Sequence, residues 1–189
     1  VVPTDDGESM KKDKVICIVQ ARMGSTRFPG KVMKPLDGLP VLGWVCAALE
    51  KVPEVDRVIV ATSRLPADSV IAEYCEDTKR SYFRGDEKDV LDRMYQCAKA
   101  YSADAVVRIT ADCPFIDPQV VSEVIRLYRS GDYHYASNID PPSYPDGLDV
   151  ECFSFEALGC AWREATRPSD RDCVPQFIVR NRRRFPAIN

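Results

Sequence analysis

Short apolar runs alternate with amphipathic stretches along most of the chain. The apolar runs are rich in Val, Ile and aromatic residues, which is typical of strands, including strands buried on both faces. They predict strands over Val15–Val19, Arg57–Thr62, Ser81–Phe83, Ala105–Ile109, Tyr133–Ser137 and Leu148–Phe153. Between them, apolar side chains recur at helical spacing, which predicts helices over residues 40–51, 66–76, 87–101, 118–129, 155–165 and 170–181.

This alternation of strand and helix predicts the fold class. It is typical of an α/β protein with three layers, in which a mainly parallel central sheet has helices on both faces. A Rossmann-like sheet of this kind binds ligands beyond the carboxyl ends of its strands. A site is therefore expected in the loops that follow Val19, Thr62, Ile109 and Ser137.

Two polar residues stand at predicted helix starts. Asp86 precedes the helix predicted over 87–101, and Ser154 precedes the helix predicted over 155–165. An Asp or Ser side chain in the N-cap position accepts a hydrogen bond from a free N–H group of the first turn. We therefore expect both residues to be N-caps without a functional role.

The chain is expected to form one domain. Its 189 residues and 21.2 kDa are enough for a core that needs no disulfide bonds. Residues 1–13 are polar and aperiodic, which predicts a flexible lead-in. Residues 14–189 carry the whole alternation and are predicted to be the domain.

Composition and charge exclude several classes of protein. With 45% hydrophobic and 29% charged residues, the sequence is typical of a globular rather than a disordered protein. A net charge of −3 gives no basic field for nucleic acid, and the apolar runs are too short to span a membrane. The eight cysteines are scattered, without a C-x-x-C pair. This spacing predicts free thiols in a reducing cytoplasm rather than disulfides or a zinc site.

The loop after the first predicted strand has the composition of a phosphate-binding loop. Gln20–Lys31 reads Q-A-R-M-G-S-T-R-F-P-G-K, with two glycines, two hydroxyl residues, two arginines and a lysine. Glycine lets backbone N–H groups approach an anion, and arginine binds phosphate oxygens in a bidentate manner. The spacing matches neither the Walker A loop nor G-x-G-x-x-G. The alternative is a long solvated loop that is merely basic.

This loop resembles the nucleotide-binding signature of the sugar-activating cytidylyltransferases, which include the CMP-sialic acid and CMP-KDO synthetases. The spore-coat-polysaccharide type is the more similar branch. Further segments of the family pattern follow in the same order, at Ala61–Ser63, Phe83–Gly85, Asp89–Arg93, Arg108–Pro114 and Tyr144–Glu151. The resemblance extends from Val15 to about Phe185, nearly the whole chain.

The resemblance implies an Mg²⁺-dependent enzyme with a nucleotidyltransferase fold. Such enzymes transfer CMP from CTP to an acceptor and release pyrophosphate. The partners would be CTP and a small anionic acceptor (a sugar acid, a phosphate or a phosphonate), without nucleic acid or membrane, and a homodimer is allowed. Two other functions stay open. One is a non-catalytic nucleotide-binding module, and the other, less favoured because Asp112–Pro114 lacks a D-x-D motif, is a nucleotide-sugar glycosyltransferase.

The resemblance also assigns residues to the nucleotide and the metal. Arg22, Arg27 and Lys31 are the implied catalytic cations, which would neutralise the triphosphate. Asp112 stands at the family's magnesium-binding aspartate, and the alternative is a turn residue. The implied nucleotide-binding residues are Gln20, Ala21, Arg22, Met23, Gly24, Ser25, Arg27, Lys31, Thr62, Asp92, Arg93, Thr110 and Ala111.

Acceptor binding is expected along the acidic loop that leads into the last predicted strand. Alternation along that strand puts Asp149 and Glu151 on one face, where they would bind the acceptor or a second metal. The alternative is a solvated edge. Arg108 is available for an anionic group of the acceptor. The expected acceptor-binding residues are Arg108, Asn138, Tyr144, Asp146, Asp149 and Glu151.

Two features depart from the family pattern. Members usually continue for some dozens of residues into a V-D-T-P-E-D-type segment, whose first aspartate supplies a second metal contact. Because these 189 residues contain no such segment, either the chain is a fragment lacking the usual C-terminal part, or Asp149 or Glu151 substitutes. At Asp172-Cys173 the family has Glu-His, which predicts a different acceptor or none.

Overall fold

A seven-stranded sheet forms the centre of the structure, a computed structural model that describes residues 13–25 and 28–189. The strands are β1 Val15–Gln20, β2 Pro35–Leu36, β3 Leu39–Pro40, β4 Arg57–Ser63, β5 Ser81–Gly85, β6 Ala105–Thr110, β7 Tyr135–Ser137, β8 Glu151–Ser154 and β9 Ala187–Ile188. The helices are α1 Val41–Leu49, α2 Ser69–Asp77, α3 Val90–Ala100, α4 Pro118–Arg129, α5 Phe155–Glu164, α6 Pro168–Asp172 and α7 Gln176–Arg180, with 3₁₀ turns at Lys31–Met33 and Pro66–Asp68.

The order of strands across the sheet is β5-β4-β1-β6-β8-β7-β9. Strands β5, β4, β1 and β6 run parallel, whereas β8 is antiparallel to both of its neighbours and β9 is parallel to β7. Strands β2 and β3 form a separate antiparallel pair. The predicted mainly parallel α/β sheet is confirmed, and the carboxyl ends of β1, β4 and β6 meet at one edge.

Alternate residues of β1 point into two separate apolar cores. Val15, Cys17 and Val19 are fully buried against side chains of α1, α2 and α4 on one face of the sheet. Ile16 and Ile18 are fully buried against α3, α5 and α7 on the other face. This double burial explains why the strand is apolar at every position from Val15 to Val19. It also confirms the three-layer arrangement with helices on both faces.

Helix α3 begins three residues later than predicted. Asp89 is its N-cap, and the Asp89 carboxylate accepts a hydrogen bond from the Asp92 N–H at 2.8 Å. The Asp86 carboxylate instead accepts hydrogen bonds from the N–H groups of Lys88 and Asp89. The prediction that Asp86 caps the helix is therefore wrong, because its side chain closes the turn that precedes the helix. Ser154 is an N-cap as predicted and accepts from the Ala157 N–H.

The C-terminal part differs most from the prediction. The stretch predicted as one helix over 170–181 is two short helices, α6 and α7. Pro175, at the N-cap of α7, has no N–H to continue a helix from α6. Apart from Asp13, the predicted lead-in over 1–13 lies outside the described residues. In the part of the chain that the structure describes, no helix has both the length and the apolar character needed to cross a membrane.

Candidate functional site

A cavity of about 340 Å³ opens at the carboxyl ends of β1 and β6. Its volume lies in the range of small-molecule sites, and its position is the one expected for a parallel sheet. Residues from the loop after β1, from β6 and its following turn, and from α3 and α6 line it. They are Gln20, Ala21, Arg22, Gly24, Ser25, Lys31, Val32, Val90, Arg93, Arg108, Thr110, Ala111, Asp112 and Asp172.

Most of the expected nucleotide-binding residues line this cavity, but three described ones do not. The backbone N–H and carbonyl groups of Met23 instead make hydrogen bonds that hold the loop. Thr62 is fully buried at the end of β4. Asp92 accepts hydrogen bonds from the indole N–H of Trp162 at 2.8 Å and from Gln96 at 3.1 Å. The expected position of Arg27 lies outside the described residues.

A buried carboxylate holds the loop that follows β1. Asp68, which is 2% exposed, accepts a hydrogen bond from the Met23 N–H at 2.7 Å and another from the hydroxyl of Ser63. The loop closes on itself where the Gly30 N–H donates to the Met23 carbonyl at 2.9 Å, with Gly30 in the left-handed region at a φ of 69°. Sequence reasoning missed Asp68, because its partner lies 45 residues away.

Replacing Asp68 by alanine is expected to lower the free energy of unfolding by about 2–3 kcal/mol, because the Met23 N–H and the Ser63 hydroxyl would lose their acceptor. Chemical denaturation of the two proteins measures this difference. Asp77→Ala, at an exposed position in α2, is the matched control and should change the stability by less than about 0.5 kcal/mol. Equal effects of the two substitutions would contradict the proposed role of Asp68.

Arg93 brings a buried positive charge into the cavity wall, and the charges of Asp68, Asp86 and Glu87 offset it only in part. Its side chain is 4% exposed, and its Nη1 atom donates to the carbonyl oxygens of Asp86 and Glu87. In the described ranges no carboxylate oxygen lies within 4.0 Å of its guanidinium nitrogens. Burial, followed by repulsion from Arg22, lowers the pKa of Arg93. Both effects favour an anion in the cavity, since an anion would neutralise the buried guanidinium.

Close packing of β5 on α3 fixes the position of Arg93. A Cβ atom on Gly85 would lie 2.7 Å from the Arg93 Cγ atom and 3.2 Å from its backbone Cα atom. Gly85→Ala is therefore expected to lower the free energy of unfolding by about 1–3 kcal/mol. The control is Gly159→Ala in α5, where a Cβ would meet only the flexible end of Arg163 at 3.3 Å and Tyr95 at 3.6 Å. That change should be neutral or should raise the free energy of unfolding by up to about 1 kcal/mol. Denaturation curves in which both substitutions destabilise the protein equally would contradict this role of Gly85.

Lys31 and Asp112 form an ion pair across the cavity mouth. Both side chains are about one third exposed, at 30% and 32%. Burial acts to raise the pKa of Asp112, but hydrogen bonds from Lys31 and Thr110 outweigh it and leave the pKa below its usual value. Asp112 is therefore ionised at neutral pH, at the end of β6 where the sequence places it.

The acidic groups at the cavity fit a magnesium ion if a substrate supplies further ligands. Across residues 13–25 and 28–189, no three His, Cys, Asp or Glu side chains form a group that could hold a metal ion. Asp112 offers a single carboxylate at the cavity wall. Because Mg²⁺ is commonly held by one or two carboxylates together with phosphate oxygens and water, the residues present fit a metal that Asp112 shares with a triphosphate.

Glu151, expected at the acceptor, is enclosed within the sheet. It is 2% exposed, and its two carboxylate oxygens pair with Arg108 and accept from the Tyr135 hydroxyl. Arg108 lines the cavity. Strand β8 begins at Glu151, so Asp149 lies in the preceding loop. The prediction that strand alternation puts Asp149 and Glu151 on one face is therefore wrong.

The other expected acceptor residues lie in the loop before β8. Asn138 holds that loop, because its amide donates to the Leu148 carbonyl at 2.7 Å and accepts from the Val150 N–H at 2.9 Å. The hydroxyl of Tyr144 donates to Glu123 on α4 at 2.6 Å. These contacts shape the loop and its junction with α4, outside the lining of the cavity.

Two further acidic residues of this loop are exposed. They are Asp146 and Asp149. Partial desolvation, followed by repulsion from Asp146, raises the pKa of Asp149. Both charges also act to raise the pKa of Cys113, which places this acidic pair near the turn that carries Asp112.

Asp172 lines the cavity although it lies 60 residues beyond Asp112 in the sequence. The preceding residue, Arg171, brings α6 to this position by pairing with Asp89, the N-cap of α3, and by donating to the Trp162 carbonyl at 2.8 Å. One indication in the sequence was that Asp172 could belong to the site, because Asp172 stands where the family pattern has a glutamate. Asp172 therefore lines the same cavity as Arg93 and Arg22, from the C-terminal part of the chain.

A sequence model described as cytidylyltransferase matches residues 16–178. The chain belongs to the cytidylyltransferase family. An uncharacterized protein of Methanocaldococcus jannaschii is 36% identical to it over 175 residues, which are 93% of this chain and 71% of that protein. The spore coat polysaccharide biosynthesis protein SpsF of Bacillus subtilis is 33% identical over 130 residues, which are 66% of this chain but 54% of SpsF. The resemblance read from the sequence is thereby confirmed, and with it the assignment to an enzyme family of nucleotidyltransferases.

Solved structures of cytidylyltransferases share the fold. The structure of a cytidylyltransferase from Leptospira borgpetersenii serovar Hardjo-bovis matches with a TM-score of 0.87 and 30% identity, covering 93% of this chain and 75% of that one. A CMP:2-keto-3-deoxy-manno-octonic acid synthetase complexed with CTP matches with a TM-score of 0.69. At 17% identity, with 89% of this chain and 86% of that one covered, the second match shows the common fold.

Proposed function

We propose that this protein transfers CMP from CTP to a small anionic acceptor and releases pyrophosphate. The observation that carries the proposal is the buried guanidinium of Arg93, which lines the cavity with Arg22 and whose pKa stays lowered by burial although the charges of Asp68, Asp86 and Glu87 act to raise it. A polyphosphate would neutralise this excess of positive charge. Membership of the cytidylyltransferase family makes CTP the nucleotide of choice.

The loop after β1 would hold the triphosphate. Three residues of this loop that could contact phosphates line the cavity, namely Arg22, Ser25 and Lys31. We propose Arg27 as a fourth contact on the basis of the family resemblance alone. Lys31, which pairs with Asp112, would bind oxygens of the same triphosphate. Asp112 would hold Mg²⁺, which supplies charge neutralisation to the phosphates when bound.

Catalysis would rest on positioning and on charge, without a covalent intermediate on the protein. An oxygen of the acceptor attacks the α-phosphorus of CTP, and the bond to the bridging oxygen of pyrophosphate breaks opposite to it. Negative charge grows on the departing pyrophosphate. Arg22 and Lys31, fixed by the loop and by Asp112, would stabilise that charge.

The acceptor would be a sugar acid or a small phosphate or phosphonate. Arg108 supports an anionic acceptor because it lines the cavity and carries a positive charge. We infer a supporting role for Asn138, Tyr144, Asp146 and Asp149, which belong to the loop between β7 and β8.

We also infer that the protein acts in the cytoplasm. All eight cysteines carry free thiols, most of them buried. Burial raises the pKa of Cys46 to about 12 and that of Cys75 to about 11. Protonated and enclosed thiols of this kind are inert, and they are common in proteins of a reducing compartment.

Release of pyrophosphate tests the proposal. The protein is incubated with Mg²⁺, each of the four nucleoside triphosphates and a panel of sugar acids, phosphates and phosphonates. We expect release that requires CTP together with one class of acceptor. Binding of CTP without release across a broad panel would contradict the proposal and would favour a non-catalytic nucleotide-binding module.

A further inference from the structure

A chain of hydrogen bonds crosses four neighbouring strands on the face of the sheet that α3 and α5 cover. It begins at Tyr135 on β7, continues through Glu151 on β8 and Arg108 on β6, and ends at Gln20 on β1. The Tyr135 hydroxyl donates to Glu151 Oε1 at 2.8 Å, and Arg108 Nη1 pairs with Glu151 Oε2. Arg108 Nε donates to Gln20 Oε1 at 2.5 Å. One end of the chain is enclosed in the core, and the other lies at the cavity wall.

Donor and acceptor chemistry fixes the orientation of the Gln20 amide. The Nε atom of arginine is a donor only, so the Gln20 group that faces it must be the carbonyl oxygen. The amide nitrogen of Gln20 therefore points the other way. Within the described ranges, neither Gln20 Nε2 nor Arg108 Nη2 donates a hydrogen bond to a protein atom. Because both residues line the cavity, their unused N–H groups are available to a ligand.

Glu151 and Tyr135 act on this wall through Arg108. Each is 2% exposed, and both oxygens of Glu151 are engaged by protein donors. Burial, followed by the charge of Glu151, raises the pKa of Tyr135, so its hydroxyl stays a donor. These contacts fix the plane of the Arg108 guanidinium. They therefore also fix the direction of its remaining N–H groups.

We propose that Gln20 Nε2 and Arg108 Nη2 form a donor pair for an anionic group of a substrate, and that Glu151 and Tyr135 are positioning residues for this pair. The proposal rests on the proposed function, since it takes the cavity as the substrate site. The ligand chemistry is an anionic oxygen of a phosphate or carboxylate. Its two sources are the acceptor and the triphosphate of CTP, and the experiment below distinguishes them.

The experiment is a calorimetric titration of inorganic phosphate into the free protein and into the protein saturated with CTP. CTP itself is titrated separately. The decisive variant is Gln20→Glu, which still accepts the hydrogen bond from Arg108 but loses both N–H donors and adds a negative charge. Gln119→Glu, at an exposed position on α4, is the matched control for the added charge. Tyr135→Phe removes the end of the chain and tests positioning.

If the acceptor supplies the anion, phosphate binds to the CTP-saturated wild type. Gln20→Glu then weakens phosphate about tenfold or more and weakens CTP by a clearly smaller factor, through the repulsion of its added charge alone. Tyr135→Phe weakens phosphate by a smaller factor, whereas a merely structural role would lower the melting temperature without changing the phosphate affinity. If the triphosphate supplies the anion, Gln20→Glu weakens CTP by about the same factor, and CTP blocks phosphate binding.

The proposal is overturned if Gln20→Glu and Gln119→Glu have the same affinities for phosphate and for CTP. Absence of phosphate binding to any form of the wild type, together with an unchanged CTP affinity in Gln20→Glu, overturns it too. Failure of the proposed function has a different signature, in which the wild type binds no CTP. In that case the titration of phosphate into the free protein still tests the donor pair. The pair requires that Gln20→Glu binds phosphate more weakly than the wild type does.

Discussion

Replacing Arg93 by methionine is expected to weaken CTP binding about 100-fold, the equivalent of about 3 kcal/mol for a charge-assisted hydrogen bond in a desolvated site. Methionine keeps the apolar stem in the core and removes the guanidinium. Arg93 has carbonyl partners and no carboxylate oxygen within 4.0 Å, so its loss breaks no ion pair in the described ranges. The lost attraction to the more distant Asp68, Asp86 and Glu87 is offset by the removal of a buried charge. The free energy of unfolding of the unliganded protein should therefore fall by less than about 1 kcal/mol, or rise.

The test combines calorimetry with CTP and chemical denaturation without it. Arg126→Met is the matched control, because Arg126 lies on α4 and pairs with Glu54 outside the cavity. The control should leave the CTP affinity unchanged. A large loss of stability in Arg93→Met, accompanied by an unchanged CTP affinity in the protein that remains folded, would mean that Arg93 serves the fold and not the ligand.

Asp112→Asn is expected to lower kcat about 10³-fold, in line with the loss of a principal electrostatic contact of a transition state. The amide is nearly isosteric but cannot neutralise Lys31 or hold Mg²⁺ as a carboxylate does. Without Mg²⁺ the same variant should bind CTP at least as tightly as the wild type, because the change removes a negative charge from an anion site. Addition of Mg²⁺ should then favour the wild type.

Steady-state rates of pyrophosphate release and calorimetry with and without Mg²⁺ measure the two effects. Asp117→Asn provides the same chemical change five residues away, at the N-cap of α4. Asparagine caps a helix about as well as aspartate, so this control should retain the wild-type rate. If Asp112→Asn also retained it, Asp112 would be a turn residue, which is the alternative that the sequence left open.

The part of the cavity formed by the loop after β1 and by Asp112 could be predicted from the sequence because its residues are local. The loop after β1 carries its glycines, hydroxyls and cations within one stretch, and Asp112 follows a buried apolar strand. Five of the loop residues, together with Asp112, line the cavity. A glycine-rich and basic loop directly after a buried strand is enough to predict a ligand site, since the carboxyl ends of parallel strands lie together at one edge of the sheet.

The residues that escaped prediction depend on contacts between distant segments. Asp68 meets Met23 from 45 residues away, and Asp172 reaches the cavity because Arg171 pairs with Asp89. No local pattern marks Asp68, and Asp172 stands out only as a departure from the family pattern. Asp92 and Arg93 are adjacent, yet Asp92 accepts from Trp162 while Arg93 lines the cavity. Consecutive side chains of a helix point about 100° apart, so neighbours in a motif divide between packing and the site.

The most direct test of the central claim, that this cavity is a CTP site, is a calorimetric titration of CTP, ATP, GTP and UTP in the presence of Mg²⁺. We predict that CTP binds the wild type most tightly and that Arg93→Met loses most of this affinity. Equal affinity for all four nucleotides, or binding of none of them, would contradict it.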